Sequence, residues 1–238
     1  MTWSIVARDS ASGAFGVAVT TKFFAVGALC PHAMSGTGAL ATQALVNPIF
    51  GPRGLRLLGQ GVPAPELVRL LLAEDDGRET RQLHVLDSAG RNAAHTGKDC
   101  IGWCGHLVRG GFSVAGNMLA GPEVVADTAA SYEANAALPF AARLIGALDA
   151  GQAAGGDKRG KQSAALIIYA SEEYPELSLR VDDHAEPLAE LRRLHDEAQR
   201  YFMPFKKFLP TKASPAGTYD RAIINAELAR LQAAASRT

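Results

Sequence analysis

Thr2 can carry both halves of a hydrolytic pair. With Met1 removed, it bears a hydroxyl nucleophile and an α-amine on one residue. An amine of ordinary pKa, about 8, can take the proton from that hydroxyl. This is the threonine–N-terminus version of the nucleophile–base pair. Lys22 is the candidate to tune it, because a cation beside the amine lowers its pKa and favours the neutral, basic form. The alternative is that Thr2 is only the second residue of a strand and Lys22 only a surface cation at a strand end.

The elements that must position these groups are two strands around a turn. Trp3 to Ala7 is a β-branched and aromatic run, and Phe15 to Thr21 is a second apolar one. Asp9-Ser10-Ala11-Ser12-Gly13 between them is turn chemistry. A hairpin that begins at residue two ties down a terminus that would normally fray.

Further along, Phe23 to Leu29 reads as β-like, and Gly36 to Leu45 as a strand rich in small residues. Helices are expected from Gly51-Pro52 to Gly59 and from Pro63 to Ala73. Arg81 to Leu86 and Arg91 to Thr96 form a hairpin around Asp87-Ser88-Ala89-Gly90. Asp99 to Gly111 is glycine-rich and irregular, and Phe112 to Ala115 is a short strand. Two helices follow, to about Ala136 and from Pro139 to Ala150, and then a loop, Gly151 to Lys161. Gln162 to Ala170 and Leu177 to Val181 complete the body as a hairpin. Two layers of helix around two packed sheets is the economical solution for this order. Helical periodicity continues at Pro187 to Phe202 and Ala222 to Ala235. The expected division is a body over 1–182 and a helical extension over 183–238, packed on the body or on a partner subunit.

Thr2 to Asp9, Gly16 to Val19 and Lys22 to Gly27 together resemble the opening of the bacterial family called domain of unknown function 1028. The similarity continues through Ala41-Thr42-Gln43-Ala44, Asn47-Pro48, Gly51, Gly116-Asn117-Met118-Leu119 and Gly155 to Leu166. It covers roughly the first three quarters of the chain, and the last motif is long enough to be specific. The resemblance implies an α+β fold of Ntn-hydrolase type, a four-layer αββα sandwich, here with a C-terminal helical appendage. It also implies an amide-bond hydrolase with an N-terminal nucleophile, and it names no substrate.

In such a site Asn117, with a backbone N–H, would hold the oxyanion. The competing role for Asn117, and more so for Asn47, is to satisfy its own turn. Asp157 and Arg159 can orient the substrate, since a guanidinium fork suits a carboxylate; the alternative is an internal Asp–Arg pair fixing the loop. Ser163 can reach the Thr2 amine or serve its own strand. Of Thr42-Gln43 and of Thr20-Thr21, alternation lets one residue each face a cleft between sheets. Ser163 or Cys100 as an internal nucleophile would tolerate a retained Met1.

Composition narrows the alternatives. The 238 residues carry 24 basic and 24 acidic side chains and no basic block, so nucleic acid and anionic membrane surfaces are not indicated. No apolar run approaches a membrane span, and the N-terminus lacks the pattern of a signal peptide. Cys30, Cys100 and Cys104 are an odd count that argues for a reducing, cytoplasmic setting. Cys100 and Cys104 have no convincing further ligands and the six histidines are scattered, so no metal and no cofactor are expected. Gly155 to Lys161 lacks the spacing of a phosphate loop. The leading expectation is a hydrolase of a small C–N amide, as a homodimer. The other is a non-catalytic binding or assembly protein on the same scaffold.

Overall fold

The computed structural model describes residues 2–235, with side chains through Leu231. In chain order the strands are β1 (Thr2–Arg8), β2 (Phe15–Thr21), β3 (Pro31–Met34), β4 (Gly38–Ala44), β5 (Arg81–Asp87), β6 (Asn92–Thr96), β7 (Trp103–Arg109), β8 (Phe112–Leu119), β9 (Ser163–Tyr169) and β10 (Leu177–Val181). The helices are α1 (Phe50–Gly59), α2 (Ala64–Ala73), α3 (Glu123–Ala134), α4 (Phe140–Ala153), α5 (Pro187–Glu197), α6 (Met203–Lys206) and α7 (Arg221–Ala235).

Both sheets are antiparallel. One runs β10-β9-β2-β1-β8-β7 and the other β3-β4-β5-β6. The protein is thus a mixed α+β fold. The hairpin of β1 and β2 closes as its turn residues dictate: Asp9 Oδ2 accepts from the Ser12 amide at 2.9 Å, and Gly13 takes φ 75°. β1 is paired along its length on both sides, to β2 and to β8.

Alternation assigns each strand face to a layer. Val6, Phe15, Val17, Val19, Ala39, Ala41 and Leu86 pack together between the sheets. Leu40, Leu83 and Val85 point the other way, onto Phe50, Leu58, Leu67 and Leu71 of α1 and α2. Helices α3 and α4 lie against the larger sheet. The fit is close at Gly16, where a Cβ would stand 2.6 Å from Leu144 Cδ1 and 2.8 Å from the Phe140 ring.

Three stretches differ from the sequence expectation. Phe23 to Leu29 is not a strand: Val26–Ala28 forms one 3-10 turn. Its amides go elsewhere, Ala25 N–H to the Asp182 carbonyl and Val26 N–H to Ser163 Oγ, so no ladder can form. The glycine-rich segment before Gly111 holds β7, an edge strand with a register shift between Trp103 and Gly105. Edge strands tolerate such irregularity. β3 arises where no strand was expected.

The chain divides into two compact units, the second beginning at Arg192, so the boundary falls inside α5. Within the second unit, Glu227 accepts from Lys207 and Arg230. Among the described residues no helix is long and apolar enough to cross a membrane.

Candidate active site

Strand register puts four polar residues in one row across the larger sheet. Asn117, Thr2, Thr21 and Ser163 are successive neighbours on β8, β1, β2 and β9. Thr2 is the centre of this row, and its Oγ1 donates to Thr21 Oγ1 at 3.1 Å. Beside it opens a cavity of about 440 Å³. Thr2, Thr42, Gln43 and Asn117 supply polar wall. Phe23, Val26, Leu45, Val46, Ile101 and Met118 supply apolar wall. That combination and size suit a small molecule with one polar end.

A buried polar chain runs away from the cavity between the sheets. Gln82 Nε2 donates to the carbonyls of Gly116 (2.8 Å) and Gly105 (3.0 Å) and to Thr96 Oγ1 (2.9 Å). Gln82 Oε1 accepts from Gln43 Nε2 (2.7 Å) and Asn117 Nδ2 (3.0 Å). Gln43 Nε2 also donates to the Ala115 carbonyl at 3.1 Å, and its Oε1 accepts from Ser4 Oγ at 2.6 Å. Ser4 Oγ lies 2.8 Å from His84 Nε2, and His84 Nδ1 lies 2.9 Å from Ser113 Oγ.

Because the Ser4 proton goes to Gln43, His84 must carry its proton on Nε2 and accept from Ser113 on Nδ1. Burial, with His106 adding repulsion, pushes the His84 pKa down to about 3, so the ring is neutral. Ser4, His84 and Ser113 are contiguous like a nucleophile, a base and an orienting group, but the protons run the other way: His84 donates to Ser4 and accepts from Ser113. All three are fully buried and none lines the cavity, so they are not a second catalytic centre.

The cavity wall contains strained backbone. Ala44 has φ 68° and Met118 φ 55°, both in the left-handed region without being glycine. Such residues persist only where their surroundings over-determine them, and they cluster at functional sites. At Ala44 the surroundings are plain. Arg81 Nη1 donates to the Leu45 carbonyl at 2.6 Å, and Arg81 Nε to Asp75 Oδ2 at 2.8 Å. Asp75 also accepts from Asn47 Nδ2 at 3.2 Å. The hydrogen bond from Arg81 holds the Asp75 carboxyl down at about 2. Asn47 Oδ1 in turn accepts from the Ile49 amide, so Asn47 serves its own turn.

The residues singled out in the sequence fall into two groups. Thr2, Asn117, Thr42 and Arg159 line the cavity. Lys22, Asp157 and Ser163 brace it without lining it. Lys22 N–H donates to Asp157 Oδ2 at 2.8 Å, while its exposed ammonium sits on the Lys161 carbonyl at 3.3 Å. Asp157 also accepts from the Arg159 amide at 2.8 Å and from its guanidinium at 3.2 Å, so the internal Asp–Arg pair is present. Ser163 Oγ donates to the Phe23 carbonyl at 2.6 Å and accepts from Val26 N–H at 3.2 Å, pinning the Phe23–Val26 wall. Both Thr42 and Gln43 reach the cavity, where alternation allowed one. The cavity wraps the end of β4, and the chain turns there at Ala44.

The cysteines are unlike activated nucleophiles. Cys30 is buried, and burial raises its thiol pKa well above the usual range. Burial, then Cys104, pushes Cys100 up to about 11. Among the described residues no three His, Cys, Asp or Glu side chains could hold a metal ion. Sequence reading missed Gln82, His84, Ser4 and Ser113. The polar/apolar alternation Gln82-Leu83-His84-Val85 was their one signal, and it is the signal of a half-exposed strand.

A mixed α+β protein with a cavity at the head of a doubly paired first strand is the class that fold and site define. Within that class, the chain belongs to the family described as a family of unknown function, DUF1028, which it matches over residues 2–191. It is similar to a crystal structure of a protein from Silicibacter pomeroyi carrying the same family description. The identity is 28% and the TM-score 0.85, over 92% of this chain and 99% of that one. Anbu, the ancestral beta-subunit from Yersinia bercovieri, aligns over 83% of this chain and 94% of its own. Its identity of 12% and TM-score of 0.41 are too low to specify a shared architecture. No curated protein matches the sequence.

Proposed function

We propose that the protein is an N-terminal-threonine hydrolase of a small C–N amide, built as a four-layer αββα sandwich of Ntn-hydrolase type. The observation that carries this reading is the position of Thr2. It heads a central strand hydrogen-bonded on both flanks, it is 8% exposed, and it forms part of the cavity wall. An immobile first residue at a cavity is what a nucleophile with its own amine as base requires.

In this reading Met1 is removed, and Thr2 Oγ1 attacks the amide carbonyl while its proton passes to the Thr2 amine. The oxyanion that forms is met by Asn117 Nδ2 and a backbone N–H. The C–N bond breaks as the Thr2 ammonium returns the proton to the leaving amine. Water then hydrolyses the threonine ester by the same proton route in reverse, releasing the acid. Arg159 receives a carboxylate or carbonyl of the substrate. Lys22 and Asp157 hold the Arg159 loop, a bracing role that replaces tuning of the amine by Lys22, whose ammonium rests on Lys161. The reading carries a cytoplasmic homodimer with it, inferred from the odd thiols and the apolar C-terminal helices.

The test is the intact mass of protein carrying no N-terminal tag, before and after exposure to an electrophilic amide analogue. A mass short by methionine that gains one adduct on Thr2 supports the proposal. Retained methionine, or no adduct on a free Thr2, rejects it. A binding role on the same scaffold is the second reading. It is favoured by the exposure of Phe23 (57%), Leu45 (64%) and Ile101 (69%) at the cavity.

A further inference from the structure

We infer that Gln82 is the positioning residue that makes Asn117 a hydrogen-bond donor toward Thr2. The kinetic half of this inference rests on the hydrolase reading; the geometric half does not.

The argument is one of direction. The carbonyls of Gly116 and Gly105 can only accept. They lie 2.8 and 3.0 Å from one end of the Gln82 amide, so that end is Nε2. Its other end is therefore Oε1, an acceptor shared by Asn117 at 3.0 Å and Gln43 at 2.7 Å. Asn117 must turn its own nitrogen to Gln82, and this fixes the plane of its amide. Its second N–H then faces the Thr2 carbonyl at 3.4 Å, a long contact that leaves the hydrogen able to shift to an oxyanion forming beside Thr2. Without an acceptor at position 82, the long contact to the Thr2 carbonyl is the one bond described here that still favours Asn117 nitrogen over oxygen, so the shorter bond to Gln82 makes the selection firm. Asn117 and Gln82 are both essentially inaccessible, at 1% and 0%, so bulk water does not make the choice.

The direction is imposed by main-chain carbonyls of β7 and β8 and passed on by one side chain. Gln82 does not itself line the cavity; its hydrogen bonds reach the cavity wall at Asn117 and Gln43.

The experiment compares Gln82→Met with Gln82→Glu. Met keeps the volume and removes the acceptor. Glu keeps an acceptor toward Asn117, ionised or protonated, but places an acid in the core. Positioning and core structure therefore predict opposite orders. The readout is the rate at which a β-lactone acylates Thr2 in protein with Met1 removed, with melting temperature followed in parallel. Positioning predicts Q82M slower by about tenfold or more, the scale of a misplaced oxyanion donor, and Q82E close to wild type although less stable. A Q82E protein slower than Q82M, or Q82M at the wild-type rate, overturns the inference. If Q82M does not fold, wild type against Q82E decides, and a tenfold loss in Q82E overturns it. If wild-type Thr2 is not acylated, the hydrolase reading fails by itself. The inference is then judged by hydrogen exchange of the Asn117 side-chain amide. Protection in wild type and Q82E that is lost in Q82M supports it, and protection unchanged in Q82M, or absent in wild type, overturns it.

Discussion

Ser4 Oγ and His84 Nε2 meet at 2.8 Å in the space between the sheets, and neither residue has any solvent exposure. A neutral histidine held there sets a pH limit. Its folded pKa, about 3, lies below the ordinary value of 6.5, so the unfolded chain binds the extra proton first. Stability from this site is therefore full above about pH 6.5 and falls as the pH drops toward 3. His84→Gln should be less stable than wild type at pH 7. It should also lose less melting temperature between pH 7 and pH 4, as thermal unfolding across that range would reveal. An identical pH slope in the two proteins would contradict the assignment.

Asp75 should act in a lower window. Its carboxyl is held at about 2 against an ordinary 3.8, so its contribution is present above pH 3.8 and lost as the pH falls toward 2. Asp75→Asn should therefore be less stable than wild type at pH 5, with the gap closing near pH 2. The same change frees Arg81, which also holds the Leu45 carbonyl, so ligand binding in the cavity should weaken as well.

Thr2→Ala should form no adduct with an electrophilic amide analogue and should lose hydrolysis by about a thousandfold or more, the scale expected on removing a nucleophile. Thr2→Ser keeps the hydroxyl and should retain adduct formation. Hydrolysis that survives in Thr2→Ala at full rate would assign the chemistry elsewhere.

Arg159 and Asp157 should separate function from stability. Arg159→Lys removes the planar fork, so KM for a carboxylate-bearing substrate should rise by about tenfold with kcat little changed. Asp157→Asn weakens bonds to the Lys22 and Arg159 amides and to the guanidinium. Hydrogen bonds to a charged group contribute about 1.5–3 kcal/mol, so the melting temperature should fall by several degrees, seen by calorimetry.

Much of the frame was legible because local chemistry and tertiary structure agree there. The Asp9–Gly13 turn, Pro52 in the first turn of α1, Pro63 at the start of α2, and the Asp87–Gly90 turn each did what those residues do elsewhere. Thr2, Asn117, Thr42 and Arg159 could be found as cavity residues from their motifs. The failures have separate physical sources, and the first is that layers are stacked on both faces of a sheet. Gln82 and His84 alternate with Leu83 and Val85 as if one face of β5 met water, yet that face meets another sheet. Lys22 sits next to Thr21 in sequence, but the strand ends there and its side chain leaves toward Lys161. In β7 the glycines suggested irregularity. The ladder to β8 overrode that propensity.

The double pairing of β1 also bears on how the protein can be handled. A strand flanked on one side can peel away to accommodate added chain, but β1 is clamped by β2 and β8 from Thr2 onward. A leader or affinity tag fused ahead of Thr2 starts at the cavity and competes for space with whatever would enter it. Ligand screens run on N-terminally tagged protein would then report the leader's occupancy of the cavity and not the affinity of the site itself.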